Sequence, residues 1–427
     1  MTRMMKYDDD VMIEMEAMLE EAEAPVSNEC CIYRVPFHTR ILNEDAYTPS
    51  VVSIGPFHHN RHPRLATMER HKLIYCKAFL QRTQTSLTTW IRYIQGVEPE
   101  FRRCYSDTLE FTKEELVKII FVDSGFIFEL FWILFYVDEH EPGNDRFLLT
   151  PWLSTSIRLD LLLLENQLPF FLLRTLFNLS CTSTSLAGNN NIPTFLQLTL
   201  RFFDYYKRSE LNFDNISIRH FTDLTRSFHL QYPQQRRKPN LVEHLPSATE
   251  LSEAGVRFKG NTDSHRCLLD LKFSGGVLEI PQLFVEDGTE VLFRNMVALE
   301  QCHYPRDSYI TDYVAVMDFL INTSRDVDIL VRKGVLVNWL GDTHSVANMF
   351  NGLCKNITPA NVSSDYVTLC KSLNDFCRNP LHKLKSTLRR DYCHTPWKTA
   401  ASIAGILIIN LVLHSITPQS SVVQDMI

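Results

Sequence analysis

The chain has 427 residues, 45% of them hydrophobic, 22% charged and 11% aromatic, a globular composition that excludes a disordered or collagen-like polypeptide. With 43 basic against 50 acidic residues the formal charge is −7, which excludes a uniformly basic nucleic-acid-binding surface. Fourteen glycines argue against several Gly-rich phosphate loops, and eleven cysteines without a CxxC pair, behind a start with no apolar signal segment, predict reduced thiols outside the secretory lumen.

Residues 1–29 are acidic, with Val11, Met15, Met18, Leu19 and Ala22 at helical spacing before Pro25, and predict an amphipathic helix packed on the body. Residues 30–395 read as one mostly helical domain. Pro36, Pro49, Pro56 and Pro63 keep residues 30–64 extended or turning. Helical patterns follow over 65–93 and 98–122. The segments Leu116–Val137 and Leu159–Phe177 are apolar enough to resemble membrane spans, but Lys118, Asp123 and Glu129 in the first, and Asp160, Glu165, Pro169 and Arg174 in the second, make them buried core helices instead. Polar residues 178–191 and basic, proline-containing 231–240 read as exposed loops, with helices over 195–206 and 218–230. Short apolar runs at 256–259, 268–273 and 277–280 around Gly275-Gly276 predict a small antiparallel β-meander near 256–285. Helices return over 289–303, 309–320, 325–333, 342–356 and 363–392. The fold class is therefore mainly α with a small antiparallel β-meander.

Thr399–Ile416 is a run without Asp, Glu, Lys or Arg, about 27 Å long as a helix, which suffices for a thin bilayer. It predicts a C-terminal transmembrane anchor over 396–416, formed by Trp397, Ile403, Ile406, Leu407, Ile408, Ile409, Leu411, Val412 and Leu413, with a short tail at 417–427. Lys383, Lys385, Arg389, Arg390 and Lys398 precede it, so the positive-inside rule places the large domain in the cytosol. A buried C-terminal helix is the competing reading.

Motifs for chemistry are sparse. Gly255–Thr262 imitates a phosphate loop, but Asn261 stands where the phosphate-binding lysine belongs, and neither a cofactor nor a metal is implied. His58, His59 and His62 could hold zinc if a further ligand approached, although imidazoles bonded to loop carbonyls explain them as well. Glu129 and Glu165 sit among apolar neighbours that raise a carboxyl pKa, as a general acid requires; the plainer reading pairs them with arginines such as Arg34, Arg40 or Arg174. Two functions follow: a membrane-tethered protein-interaction module whose partner is another protein, or a hydrolase or transferase whose site includes His58, His59, Glu129 or Glu165.

Read together, Cys31–Pro36 (CIYRVP), Ala46–Pro49, Val52–His59 (VSIGPFHH), Met68-Glu69, Asp123–Leu130 (DSGFIFEL), Asp160–Phe171 (DLLLLENQLPFF), Leu245–Gly255, Gly276–Pro281, Phe293–His303 (FRNMVALEQCH), Asn338–Asp342 and Pro396-Trp397 resemble the plant domain of unknown function 247 family, also called uncharacterised protein family 0481. The family usually has Gly-Cys where this chain has Ser124-Gly125. The resemblance implies a helical domain with a C-terminal anchor and supplies no catalytic residues. Some grass members resemble pollen-side determinants of self-incompatibility, which implies recognition of another protein.

Overall fold

The structure, a computed structural model, describes residues 11–19, 27–136, 150–182, 192–207, 213, 216–230, 237–238, 243–263, 267–358, 361–380, 404–405 and 407–408. Within these the contacts gather into two compact units. The first spans Met1–His229 with Gly288–Pro305 and Asn356–Thr358, and the second Leu230–Asp287 with Arg306–Lys355 and Pro359–Ile427.

The first unit is helical. Its helices are α1 (11–19), α2 (Phe37–Arg40), α3 (Ala66–Thr83), α4 (Leu87–Arg103), α5 (Lys113–Phe135), α6 (Pro151–Asp160), α7 (Phe170–Thr182), α8 (Phe195–Phe202), α9 (Phe221–Ser227) and α11 (Thr289–His303). A capping box, with Thr112 accepting from the Glu115 amide and Glu115 reaching back, starts α5, and its apolar residues point in nearly every direction because α3, α4, α7 and α8 surround it. Aromatic rings fill the space between: Phe131 stacks on Phe202 at 4.3 Å, and Phe128 meets Trp90, Phe177 and Phe195 edge to face. The Trp90 indole is fully buried and donates to Ser180 Oγ at 3.0 Å, so its one polar atom is satisfied. Cys30, Cys31, Cys76 and Cys104 are buried thiols.

Three expectations change here. The pattern over 65–93 divides, because Gln84 takes a left-handed conformation (φ 52°) that ends α3 and lets α4 begin at Leu87. Leu159–Phe177 is not one helix: α6 ends at Asp160, Leu161–Pro169 is irregular, and α7 starts at Phe170. The Asn166 and Gln167 side chains donate to the carbonyls of Asp160, Leu161 and Leu163, replacing the helical bonds that the break forfeits. Finally, α1 forms but does not pack on the body over its described residues, where Val11 is 46% and Leu19 70% exposed.

The second unit holds β1 (Arg237–Lys238), α10 (Ala248–Glu253), β2 (Arg257–Asn261), β3 (Lys272–Ser274), β4 (Val277–Pro281), β5 (Leu283–Val285), α12 (Tyr309–Leu320), α13 (Ser324–Arg332), β6 (Leu336–Asn338), α14 (Thr343–Leu353), β7 (Val362–Ser363) and α15 (Ser364–Arg378). The expected antiparallel meander is corrected to a mixed sheet. Gly275 and Gly276, both at positive φ, turn β3 back on β4 as an antiparallel hairpin, but β2 pairs with β4 in parallel and the order is β2-β4-β3. β5 pairs in parallel with β6, which ends at Asn338, the first residue of the Asn338–Asp342 motif. The 231–240 segment is not wholly an exposed loop, since β1 pairs with β7 and the Arg237 guanidinium is buried against Asp312 at 2.9 Å. Residues 183–191 of the other expected loop lie outside the described residues.

The same holds for the predicted anchor at 396–416, apart from 404, 405, 407 and 408. Among the described residues no helix is long and apolar enough to cross a membrane.

Candidate functional site

The motifs at 31–59, 68–69, 123–130, 160–171 and 293–303 meet in the first unit, where four buried side chains hold the proline-rich strand of chain at 31–59. The Asp160 carboxylate accepts the Ser50, Val51 and Val52 amides at 2.7 to 2.8 Å, and the Ser50 hydroxyl. Asn166 accepts the Ile54 amide at 2.7 Å and donates to the Val52 carbonyl at 3.0 Å. Asp123 on α5 accepts the Gly55 amide at 2.8 Å and pairs with the fully buried Lys72, whose ammonium also reaches Ser53 O and Glu69. Burial would lower the Lys72 pKa, but Asp123 and Glu69 outweigh it and keep the ammonium charged. Gly55 is required at the turn: its φ is +72°, and a Cβ would collide with the Gln167 carbonyl oxygen.

Glu165 is the fourth. Its Oε1 accepts the Val35 amide at 2.8 Å and Arg40 Nη1 at 2.6 Å, while Oε2 faces Arg34 Nη1 at 3.4 Å. His58 Nε2 lies 3.3 Å from Oε2, without an aligned hydrogen bond on either ring nitrogen. Of the arginines that the sequence offers as partners for Glu129 and Glu165, Arg34 and Arg40 meet Glu165, and the structure adds His58 beside it. The expected raised pKa is overturned. Burial does oppose ionisation, but His58, Arg40 and the Val35 amide hold the carboxyl below its usual range. Burial lowers the His58 pKa, and Glu165 opposes that shift without reversing it. At 1% and 2% exposure the two groups have no face toward solvent.

Glu129 does not join them. It forms a two-pronged pair with Arg82 at 2.6 and 3.2 Å, with the guanidinium over the Trp132 ring. His59 turns away from His58 and packs edge to face on Phe111. Among the described residues no group of three His, Cys, Asp or Glu is placed to hold a metal, and His62 stacks on the His58 ring.

His59 instead lines a half-open cavity of about 230 Å³ together with Glu69, Leu73, Phe111, Glu115 and Asp123. Sequence reasoning missed this site because its residues come from α3, α5 and two loops, each unremarkable in its own window. One signal was present: Glu69 and Asp123 both fall in motifs that carry the resemblance. A second missed feature is the Tyr33 hydroxyl, 2.8 Å from His303 Nδ1, which joins the CIYRVP and FRNMVALEQCH motifs.

A family model described as a plant protein of unknown function, DUF247, matches residues 32–411. A UPF0481 protein of Arabidopsis thaliana is 28% identical, over 92% of this chain and 86% of its own length. A second UPF0481 protein of the same plant is 25% identical, over 94% and 92%. No solved structure matches.

Proposed function

We propose that this chain, which belongs to the DUF247 family of plant proteins of unknown function, is a membrane-tethered module that recognises another protein. The observation that carries the reading is the contrast between its buried and its open polar groups. Asp160, Glu165 and Asn166 spend their hydrogen bonds holding residues 31–59, whereas the accessible cavity beside them has apolar walls and a rim of charges suited to binding. The uncharged run Thr399–Ile416 supplies the tether and, through it, a raised effective concentration for partners on the same membrane.

Crosslinking in intact plant membranes tests the reading. The full chain should yield a discrete crosslinked protein, lost when residues 399–416 are replaced by a charged helix of equal length. Turnover of an added ester, amide or glycoside that disappears in a folded Glu165→Gln variant, with no crosslinked partner, would replace recognition by catalysis.

A further inference from the structure

We infer that the cavity between α3 and α5 takes a basic side chain, arginine or lysine, presented by a protein partner. This deepens the recognition reading and rests on it. About 230 Å³ is below the roughly 300–1,000 Å³ of sites for drug-sized ligands, so the occupant is a single side chain or something of that size. Leu73, Ile119, Val122 and Phe111 form an apolar wall, and Leu73 is 57% exposed. That wall suits a hydrocarbon stem.

The polar groups set the sign of the head. Glu69, Glu115 and Asp123 line the cavity, and an anion placed there would meet three carboxylates. Lys72 neutralises Asp123 from beneath and also contacts Glu69 at 2.7 Å, and Glu115 Oε2 accepts the Thr112 amide at 2.8 Å, which leaves the other carboxylate oxygen of Glu69 and of Glu115 for a guest at the mouth. Lys118 is exposed and also lines the cavity, so the lining sets three carboxylates against one ammonium. His59 is also in the lining, and its Nδ1 is buried with no hydrogen-bond partner among the described residues. A guanidinium or ammonium supplies donors alone, on a stem of three or four methylenes. A neutral amide of the same length leaves the carboxylates uncompensated.

The test uses the full-length chain in nanodiscs and ligand-observed saturation-transfer NMR. Nα-acetyl-arginine amide and Nα-acetyl-lysine amide should bind, and the neutral Nα-acetyl-citrulline amide should bind several-fold more weakly. Glu115→Gln keeps the cap on α5, since glutamine serves a capping box as glutamate does, and should weaken the basic ligands about twofold to fivefold, the range for a half-exposed ion pair. Leu73→Ala, at an exposed position, should weaken them by a similar factor. Equal binding of the citrulline analogue, or unchanged binding in both variants, overturns the inference. A crosslinked partner retained undiminished by the Glu115→Gln/Leu73→Ala double variant also overturns it, while leaving the recognition reading standing.

Discussion

His220 shows how one side chain ties local capping to long-range packing. It is fully buried at the N-terminus of α9, where Nδ1 accepts the Asp223 amide at 3.3 Å and Nε2 donates to the Cys31 carbonyl at 2.9 Å. Only the neutral Nε2–H tautomer satisfies both contacts. Burial, assisted by Arg219 and His303, pushes its pKa down to about 4, against about 6.5 in the unfolded chain. Between those values the unfolded state holds a proton that the native state does not. Stability is therefore complete above the unfolded value and is lost as pH falls through the window. From pH 7 to pH 5 His220 should remove about 2 kcal/mol, and burial lowers His303 to about 4 with the same sign. Urea unfolding at the two pH values checks this in the wild type and in His220→Asn, which retains a capping side chain. The variant should show a clearly shallower loss, and an equal loss would refute the tautomer argument.

At the scale of elements, the break between α6 and α7 matters most, because a continuous helix would remove the groups that hold residues 31–59. Asn166 alone makes three buried hydrogen bonds, to the Ile54 amide and to the Val52 and Asp160 carbonyls. Asn166→Ala leaves these backbone groups unsatisfied at about 1 kcal/mol or more each, so a loss of about 3 kcal/mol is expected. Asn166→Asp keeps the acceptor but turns a buried carboxylate oxygen onto the Val52 and Asp160 carbonyls and should lose at least as much. Chemical denaturation of the folded variants measures both. The same region explains what the sequence could and could not reveal. Helix period alone located α11 and α12 to within a few residues, and Gly275-Gly276 located the β3–β4 hairpin, whereas the helix expected over 98–122 divides into the end of α4 and the start of α5. LLLLENQLPFF carries a helical apolar pattern, yet Asn166 and Gln167 turn inward to bond the backbone, and no local periodicity records that competition. The parallel pairing of β2 with β4 and the Glu165–Arg40 pair are long-range choices, fixed by packing between segments rather than within one. Glu165 was legible as a buried acid but not as an ionised one, since Arg40 and the Val35 amide lie 125 and 130 positions away.

For the whole molecule, the decisive comparison is between two apolar stretches with opposite charge content. α5 is long and rich in Phe and Ile, yet Asp123 and Glu129 interrupt it and are neutralised by Lys72 and Arg82 from α3, so its apolar surface is spent inside the first unit. Thr399–Ile416 carries no ionisable Asp, Glu, Lys or Arg, and at the described positions Leu407 and Ile408 are 57% and 60% exposed. An uncharged run of that length gains by entering lipid, where each central charge would cost roughly 2.5–3.5 kcal/mol. Membrane attachment should therefore depend on this run alone. Full-length chain should remain in the pellet after alkaline carbonate extraction, whereas a chain ending at Asp391 should be released with unchanged helical circular dichroism. The released chain should also bind Nα-acetyl-arginine amide as the full chain does, because α3 and α5 lie far from the deleted residues in sequence and retain their caps and ion pairs. Retention of the shortened chain in the carbonate pellet would mean that another segment holds the membrane, and the tether would then have to be sought outside residues 399–416.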